Sequence, residues 1–208
     1  METLIEFSDY NIKIAKSPEL GVTLFIDDDI QSSELDYMMY HEALVQPAMF
    51  QHPNPKKVMI GGGGEFLTAC EILKHKSVER VDMIDIDGTL LNYVKTLLKD
   101  LHKDCWKDPR LNIIIDDAAN YVDNFNEELY DVVIMDIVDP TRTPAVIKLY
   151  TSDFYYKVKE RLLKKDGVFG THCSALHLLN IKSAQYIRAN VESVFGKAYV
   201  YGNMPPSF

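Results

Sequence analysis

The chain has 208 residues, 47% of them apolar, and its 22 basic and 31 acidic residues give a formal net charge of −9. That length and apolar content suffice for one domain with a sizeable core, or one domain with a small appendage. The acidic balance speaks against a nucleic-acid or membrane surface, no apolar run reaches the ~18 residues a membrane helix needs, and the N-terminus carries no signal-peptide pattern.

"NIKIAKSPELGVTLFID" alternates apolar and polar residues around a Pro-Glu-Leu-Gly turn and predicts a β-hairpin within residues 1–32. A helix follows from about Ser33 to Met49, with Tyr37, Tyr40, Leu44 and Val45 at helical spacing. From there, across residues 33–208, the pattern alternates. "KKVMIG", "VERVDMID", "RLNIII", "YDVVIMD", "GVFGTH" and "KAYVYG" read as strands. "FLTACEILKH", "GTLLNYVKTLLKDLH", "AANYVDNF", "TSDFYYKVKERLLKK" and "IKSAQYIRANVESVF" read as the helices between them. Continuous apolar strands alternating with helices predict a parallel sheet covered on both faces, an α/β fold that binds ligands at the carboxyl ends of its strands. Cys70, Cys105 and Cys173 are odd in number and widely spaced, and no CxxC or HExxH pattern occurs. That points away from a zinc site or a disulfide framework and toward a reducing cytoplasm.

The strand ends carry the chemistry. "GGGGEFLT" follows the first parallel strand, where consecutive glycines admit φ > 0 and let backbone approach a ligand. No GK[ST] follows, so a P-loop is excluded. Asp85 and Asp87 follow the second strand: an acid here accepts from a ribose diol, while an N-cap role suits Asp87 better than Asp85. Of Asp116 and Asp117 after the third strand, one is expected to cap the short helix and the other can accept from an adenine amino group. Asp136 and Asp139 end the fourth strand, where capping or a loop ion pair is the plain alternative to a functional role. With no Lys or Arg near the glycine turn before Lys74, this order implies an adenosine-containing ligand without a phosphate chain, and a positively charged one.

"IDDDIQSSELDYMMYHEALVQPAMFQHPNPKKVMIGGGGEFLT", "MIDIDG", "DPRLNIIIDDAANYV", "YDVVIMDIVDP" and "KLYTSDFYYKVKERL" together resemble the spermidine/spermine synthase family of polyamine aminopropyltransferases. "GGGE", "DID", "KLYT" and "MPPSF" are most similar to its thermospermine synthase branch. The resemblance implies a small N-terminal β-region on a Rossmann-like, methyltransferase-type and mostly parallel sheet. It implies aminopropyl transfer from decarboxylated S-adenosylmethionine to a polyamine, without a metal, in a cytoplasmic homodimer or homotetramer. The acceptor would be spermidine or putrescine, and methylthioadenosine the second product. Carried over by position, Asp136 is the catalytic acid. Asp139, Tyr40, His41, Tyr150 and Gln31 face the amine. Gln31, Gly62, Gly63, Gly64, Glu65, Asp85, Asp117, Ala118 and Asp136 face the donor. His172 and Cys173 are read as pocket lining.

Five departures from the family pattern stand out. Asp28 replaces an expected glycine, and Phe66 and Leu67 stand where small residues are expected. "DPTRTPAVIKLY" is poorer in glycine than the family's gatekeeping loop. "THCSA" lacks a glutamine and an acid, which fits a longer acceptor than putrescine. The last antiparallel strand is missing after "MPPSF", so the chain is expected to be a fragment or to close its sheet another way. Two other functions stay open: an S-adenosylmethionine-dependent methyltransferase, which two acids would disfavour by repelling the donor's carboxylate, and an inactive relative serving as a partner subunit.

Overall fold

A computed structural model describes residues 1–7, 11–140, 144–173 and 181–207. Residues 141–143 of the expected gatekeeping loop, the Ser-Ala after Cys173, and Phe208 lie outside the described residues. In chain order the elements are β1 (Glu2–Phe7), β2 (Ile12–Ser17), β3 (Gly21–Ile26), β4 (Asp29–Ser33), α1 (Tyr37–Gln51), β5 (Lys57–Gly62), α2 (Leu67–Leu73), β6 (Arg80–Asp85), α3 (Gly88–Leu97), α4 (Lys99–His102), β7 (Leu111–Ile115), α5 (Ala118–Asn124), β8 (Tyr130–Asp136), α6 (Pro144–Ile147), α7 (Ser152–Arg161), β9 (Leu163–Thr171) and α8 (Ile181–Phe195). Short 3-10 turns cover Cys105–Lys107 and Lys148–Tyr150.

The predicted hairpin is the centre of a four-stranded antiparallel sheet, β1-β2-β3-β4. Its outer strands escaped the sequence reading because "ETLIEF" is largely exposed and "DIQSS" is mostly polar. Asp27 and Asp28 turn β3 into β4 with φ of +51° and +66°. Aspartate tolerates that left-handed turn better than most non-glycine residues, so the departure at position 28 is absorbed by the backbone.

The second sheet has the order β7-β6-β5-β8-β9, and each neighbouring pair is parallel. Alternation along β5 and β8 divides the core. Val58, Ile60, Val132 and Ile134 join one cluster, with α1, α2 and α3. Met59, Val133 and Met135 join the other, with α5 and α7. Ile12, Ile14 and Leu24 of the antiparallel sheet also enter the first cluster, so the small sheet shares its core with the large one.

Two expectations are corrected. "KAYVYG" forms no strand: Tyr199, Val200 and Tyr201 are 71%, 49% and 50% exposed, and among the described residues no strand pairs with them to complete a ladder. The cysteine reading also fails in part, because Cys70 and Cys105 form a disulfide and only Cys173 is free. They are 35 residues apart in sequence, but the fold sets α2 against the turn at Cys105–Lys107. Spacing along a chain reports no distance in space. Among the described residues, no helix is long and apolar enough to cross a membrane.

Candidate active site

Register brings the glycine turn to the end of β8, where Gly62 pairs with Asp136 and the Gly63 N–H donates to the Asp136 carbonyl at 3.0 Å. Gly62 and Gly63 take φ of +85° and +80°. A Cβ at Gly62 would lie 2.0 Å from the Asp136 carbonyl oxygen, so the approach requires glycine. Phe66 continues the turn at φ +67° and caps α2. Its ring points away from the rim. Phe66 and Leu67 are 0% and 2% exposed, and both belong to the core cluster with Val58 and Ile60. The bulk at these positions is therefore spent on packing.

Two hydroxyls orient the Asp136 carboxylate. Tyr40 of α1 donates to Oδ1 at 3.2 Å and Thr68 of α2 donates to Oδ2 at 2.5 Å. Thr68 was missed by sequence reasoning. Its signal is a hydroxyl residue on the first turn of a helix whose N-terminus meets the strand end. His41, next to Tyr40, is buried. Its Nδ1 lies 2.6 Å from the Tyr37 carbonyl, an acceptor only, so Nδ1 carries the hydrogen. The Nε2 lone pair then faces Glu65 at 3.8 Å. Burial lowers the His41 pKa and holds the ring neutral.

Burial pushes the Glu65 carboxyl up to about 8, and the negative charges of Asp136 and Asp85 add to the rise. Burial likewise raises Asp85 to about 6, against the pull of the Asp87 N–H. That N–H donates to Asp85 at 2.8 Å. Among the described residues no lysine or arginine pairs with Glu65, Asp85 or Asp136. Glu65, Asp85 and Asp136 thus form an acid cluster without a lysine or arginine counter-charge among the described residues. Burial and the Asp136 carboxylate also raise the Tyr40 hydroxyl, which stays a donor.

Beyond Tyr40 the site opens toward Tyr150, Asp139 and His172. The Tyr40 and His172 rings are 6.4 Å apart. Tyr150 is fully buried, and its hydroxyl lies 2.6 Å from His172 Nε2 and 3.1 Å from the Val138 carbonyl. The other proposed residues are less converged. Asp87 caps α3, as its position implied. Asp117 caps α5 through the N–H groups of Ala119 and Asn120 and meets Lys148 at 3.2 Å. Burial alone would raise its carboxyl, but these donors hold it below the ordinary range. Ala118 is buried behind it as the first residue of α5. Gln31 lies on β4 and donates to the Asp29 carbonyl at 3.1 Å. Gly64 sits against Asp85, whose Oδ2 would be 3.0 Å from a Cβ placed there.

A family profile described as "Spermine/spermidine synthase domain" matches residues 37–208. The chain belongs to the spermine/spermidine synthase family. It is 44% identical over 188 residues to a polyamine aminopropyltransferase of Aeropyrum pernix, covering 90% of this chain and 59% of that protein. It is 34% identical over 203 residues to a thermospermine synthase of Arabidopsis thaliana, covering 97% of this chain and 59% of that protein. Among solved structures it is similar to a spermidine synthase in complex with the transition state analogue AdoDATO. That match has a TM-score of 0.87 at 35% identity and covers 94% of this chain and 66% of that one. The chain thus spans about three fifths of the length of these two sequence relatives. Both the fold class and the family expected from the motifs are borne out.

Proposed function

We propose that the protein transfers an aminopropyl group from decarboxylated S-adenosylmethionine to a polyamine and releases methylthioadenosine. One observation carries this reading: Glu65, Asp85 and Asp136 converge at the sheet rim with no lysine or arginine partner among the described residues. A cationic donor and a cationic acceptor supply the counter-charge such a cluster lacks. The related polyamine aminopropyltransferases support the same chemistry.

The amine nitrogen attacks the methylene carbon beside the sulfonium, and the C–N bond forms as the C–S bond breaks. The sulfur keeps the bonding pair and leaves as neutral methylthioadenosine. A free polyamine amine has a pKa near ~10.4, like lysine, and is mostly protonated at neutral pH. Asp136, fixed by Tyr40 and Thr68, orients that nitrogen and takes its proton, directly or through water. In-line placement of amine and donor supplies several kcal/mol. Asp139 and the face of Tyr40 hold the rest of the polycation, with the buried Tyr150 packed behind them. Gly62, Gly63, Gly64, Glu65 and Asp85 seat the donor, with Asp117, Ala118 and Gln31 toward its nucleoside end. Core packing of Phe66 leaves this donor side free of the obstruction that would favour an inactive relative. The reading places a homodimer or homotetramer in the cytoplasm, where a disulfide such as Cys70–Cys105 is uncommon but known.

The test is turnover with decarboxylated S-adenosylmethionine and either spermidine or putrescine, with products identified by mass and chromatography. Stoichiometric methylthioadenosine and an amine heavier by one aminopropyl group are expected. Methyl transfer from S-adenosylmethionine without aminopropyl transfer would overturn the reading.

A further inference from the structure

Asp36 stands immediately before α1, where an aspartate ordinarily accepts from the first free N–H groups of its helix. Here the side chain makes no such bond. Asp36 is buried, and its carboxylate is committed to other donors. Oδ1 accepts from the Ser33 and Ser207 hydroxyls, each at 2.7 Å, and Oδ2 accepts from the Ser207 N–H at 2.6 Å. Ser207 lies 171 residues away in sequence. Asn203, on the same stretch, donates to the Met39 carbonyl at 2.7 Å. The stretch 203–207 thus grips the start of α1 at two points. Within α1, Pro47 has no N–H to give the Ala43 carbonyl, which loosens the first turns from the rest of the helix. Tyr40 follows Asp36 by one helical turn and reaches Asp136 Oδ1 at 3.2 Å.

We propose that Ser207 and Asp36 form a clasp that holds Tyr40 on the Asp136 carboxylate, making Ser207 a positioning residue for aminopropyl transfer. A buried carboxylate is costly to leave short of donors, so its three hydrogen bonds fix where the chain enters α1. From there one helical turn carries the constraint to the Tyr40 hydroxyl. That hydroxyl orients the carboxylate that takes the amine proton. The clasp rests on the aminopropyl-transfer reading and adds to it a residue that acts on the reaction only through Tyr40.

A double-mutant cycle between Ser207 and Tyr40 tests it on the full chain. Ser207→Ala keeps the N–H to Oδ2 and removes the hydroxyl bond to Oδ1, whereas Ser207→Thr keeps both groups. Steady-state kinetics are measured with decarboxylated S-adenosylmethionine and whichever of spermidine and putrescine the wild type turns over, below the melting temperature of every variant. The expected result is a kcat lowered about tenfold in Ser207→Ala with both KM values within about threefold, because a misplacement on the order of 1 Å costs up to about a hundredfold. Ser207→Thr stays within about threefold of the wild-type kcat, since the hydroxyl bond survives. Tyr40→Phe lowers kcat by itself, and adding Ser207→Ala to it lowers kcat less than about twofold further, because the clasp has lost the group it acts through. A wild-type kcat in Ser207→Ala or in Tyr40→Phe, or losses that multiply in the double variant, overturns the clasp while leaving aminopropyl transfer intact. A wild-type protein that turns over no amine removes the functional reading itself, and the clasp's role with it.

Discussion

The two halves of the rim are built by different means. At the ends of β5 and β6 the backbone does the shaping: glycines at positive φ lie against β8, and an N–H holds Asp85. Its carboxyls are buried, and the fold raises them to about 8 and about 6. At the ends of β8 and β9 side chains do the shaping: Tyr150, His172 and Asp139 arrange one another, and Asp139 keeps 32% of its side chain in solvent. A backbone-built site is rigid and suits one invariant nucleoside. A side-chain-built site can be retuned by substitution, as an acceptor of variable length requires. The donor side is therefore costly in electrostatic terms and the acceptor side adaptable.

The strongest way to break this comparison is at the residue both halves share. Asp136→Asn keeps one acceptor oxygen, enough for the bond from either Tyr40 or Thr68 but not both, and cannot take a proton, so kcat should fall about 10³-fold with donor affinity changed far less. Single-turnover kinetics beside methylthioadenosine calorimetry measures both.

Next in size is the support behind the donor turn. Cys70 lies on α2 and joins Cys105, so the disulfide braces the helix that begins at Phe66. Replacing both cysteines by serine opens a loop with a sequence separation of 35 residues and should cost about 3–4 kcal/mol in denaturant unfolding. Donor KM should rise while acceptor KM holds. An equal rise in both would erase the distinction between the halves.

A smaller effect reads the electrostatic cost directly. The Glu65 carboxyl is raised to about 8 in the fold, so above the ordinary carboxylate range the native state keeps a proton that the unfolded chain has released. Stability must then fall as pH rises toward that value. Asp85 contributes over the lower part of the same window, up to about 6. The melting temperature of the ligand-free protein should drop by several degrees from about pH 5 to about pH 8, and Glu65→Gln should flatten most of that slope. A melting temperature that rises over this range would contradict the burial of an uncompensated acid.

How far the sequence foretold all this follows the same division. The parallel strands, the glycine turn and the acids at strand ends were legible, because continuous apolar runs and βα turns are local patterns. The capping role of Asp87 was legible too. Thr68 and the Asp36–Ser207 contact were not, since each depends on a partner distant in sequence. Position 66 was ambiguous for a physical reason: composition cannot tell whether a phenylalanine with left-handed φ points to a ligand or to the core. "KAYVYG" misled because alternation favours a strand only where a neighbouring strand completes the ladder. The disulfide was invisible because pairing follows contact, not spacing.

The central claim is that the rim selects positive charge at the donor. Calorimetry with decarboxylated S-adenosylmethionine and with S-adenosylmethionine compares two sulfonium nucleosides that differ by one carboxylate. The account predicts that the decarboxylated ligand binds at least about a hundredfold more tightly, because the carboxylates of Asp85 and Asp136 repel the added charge. Equal affinities, or a preference for the carboxylate-bearing ligand, would contradict it.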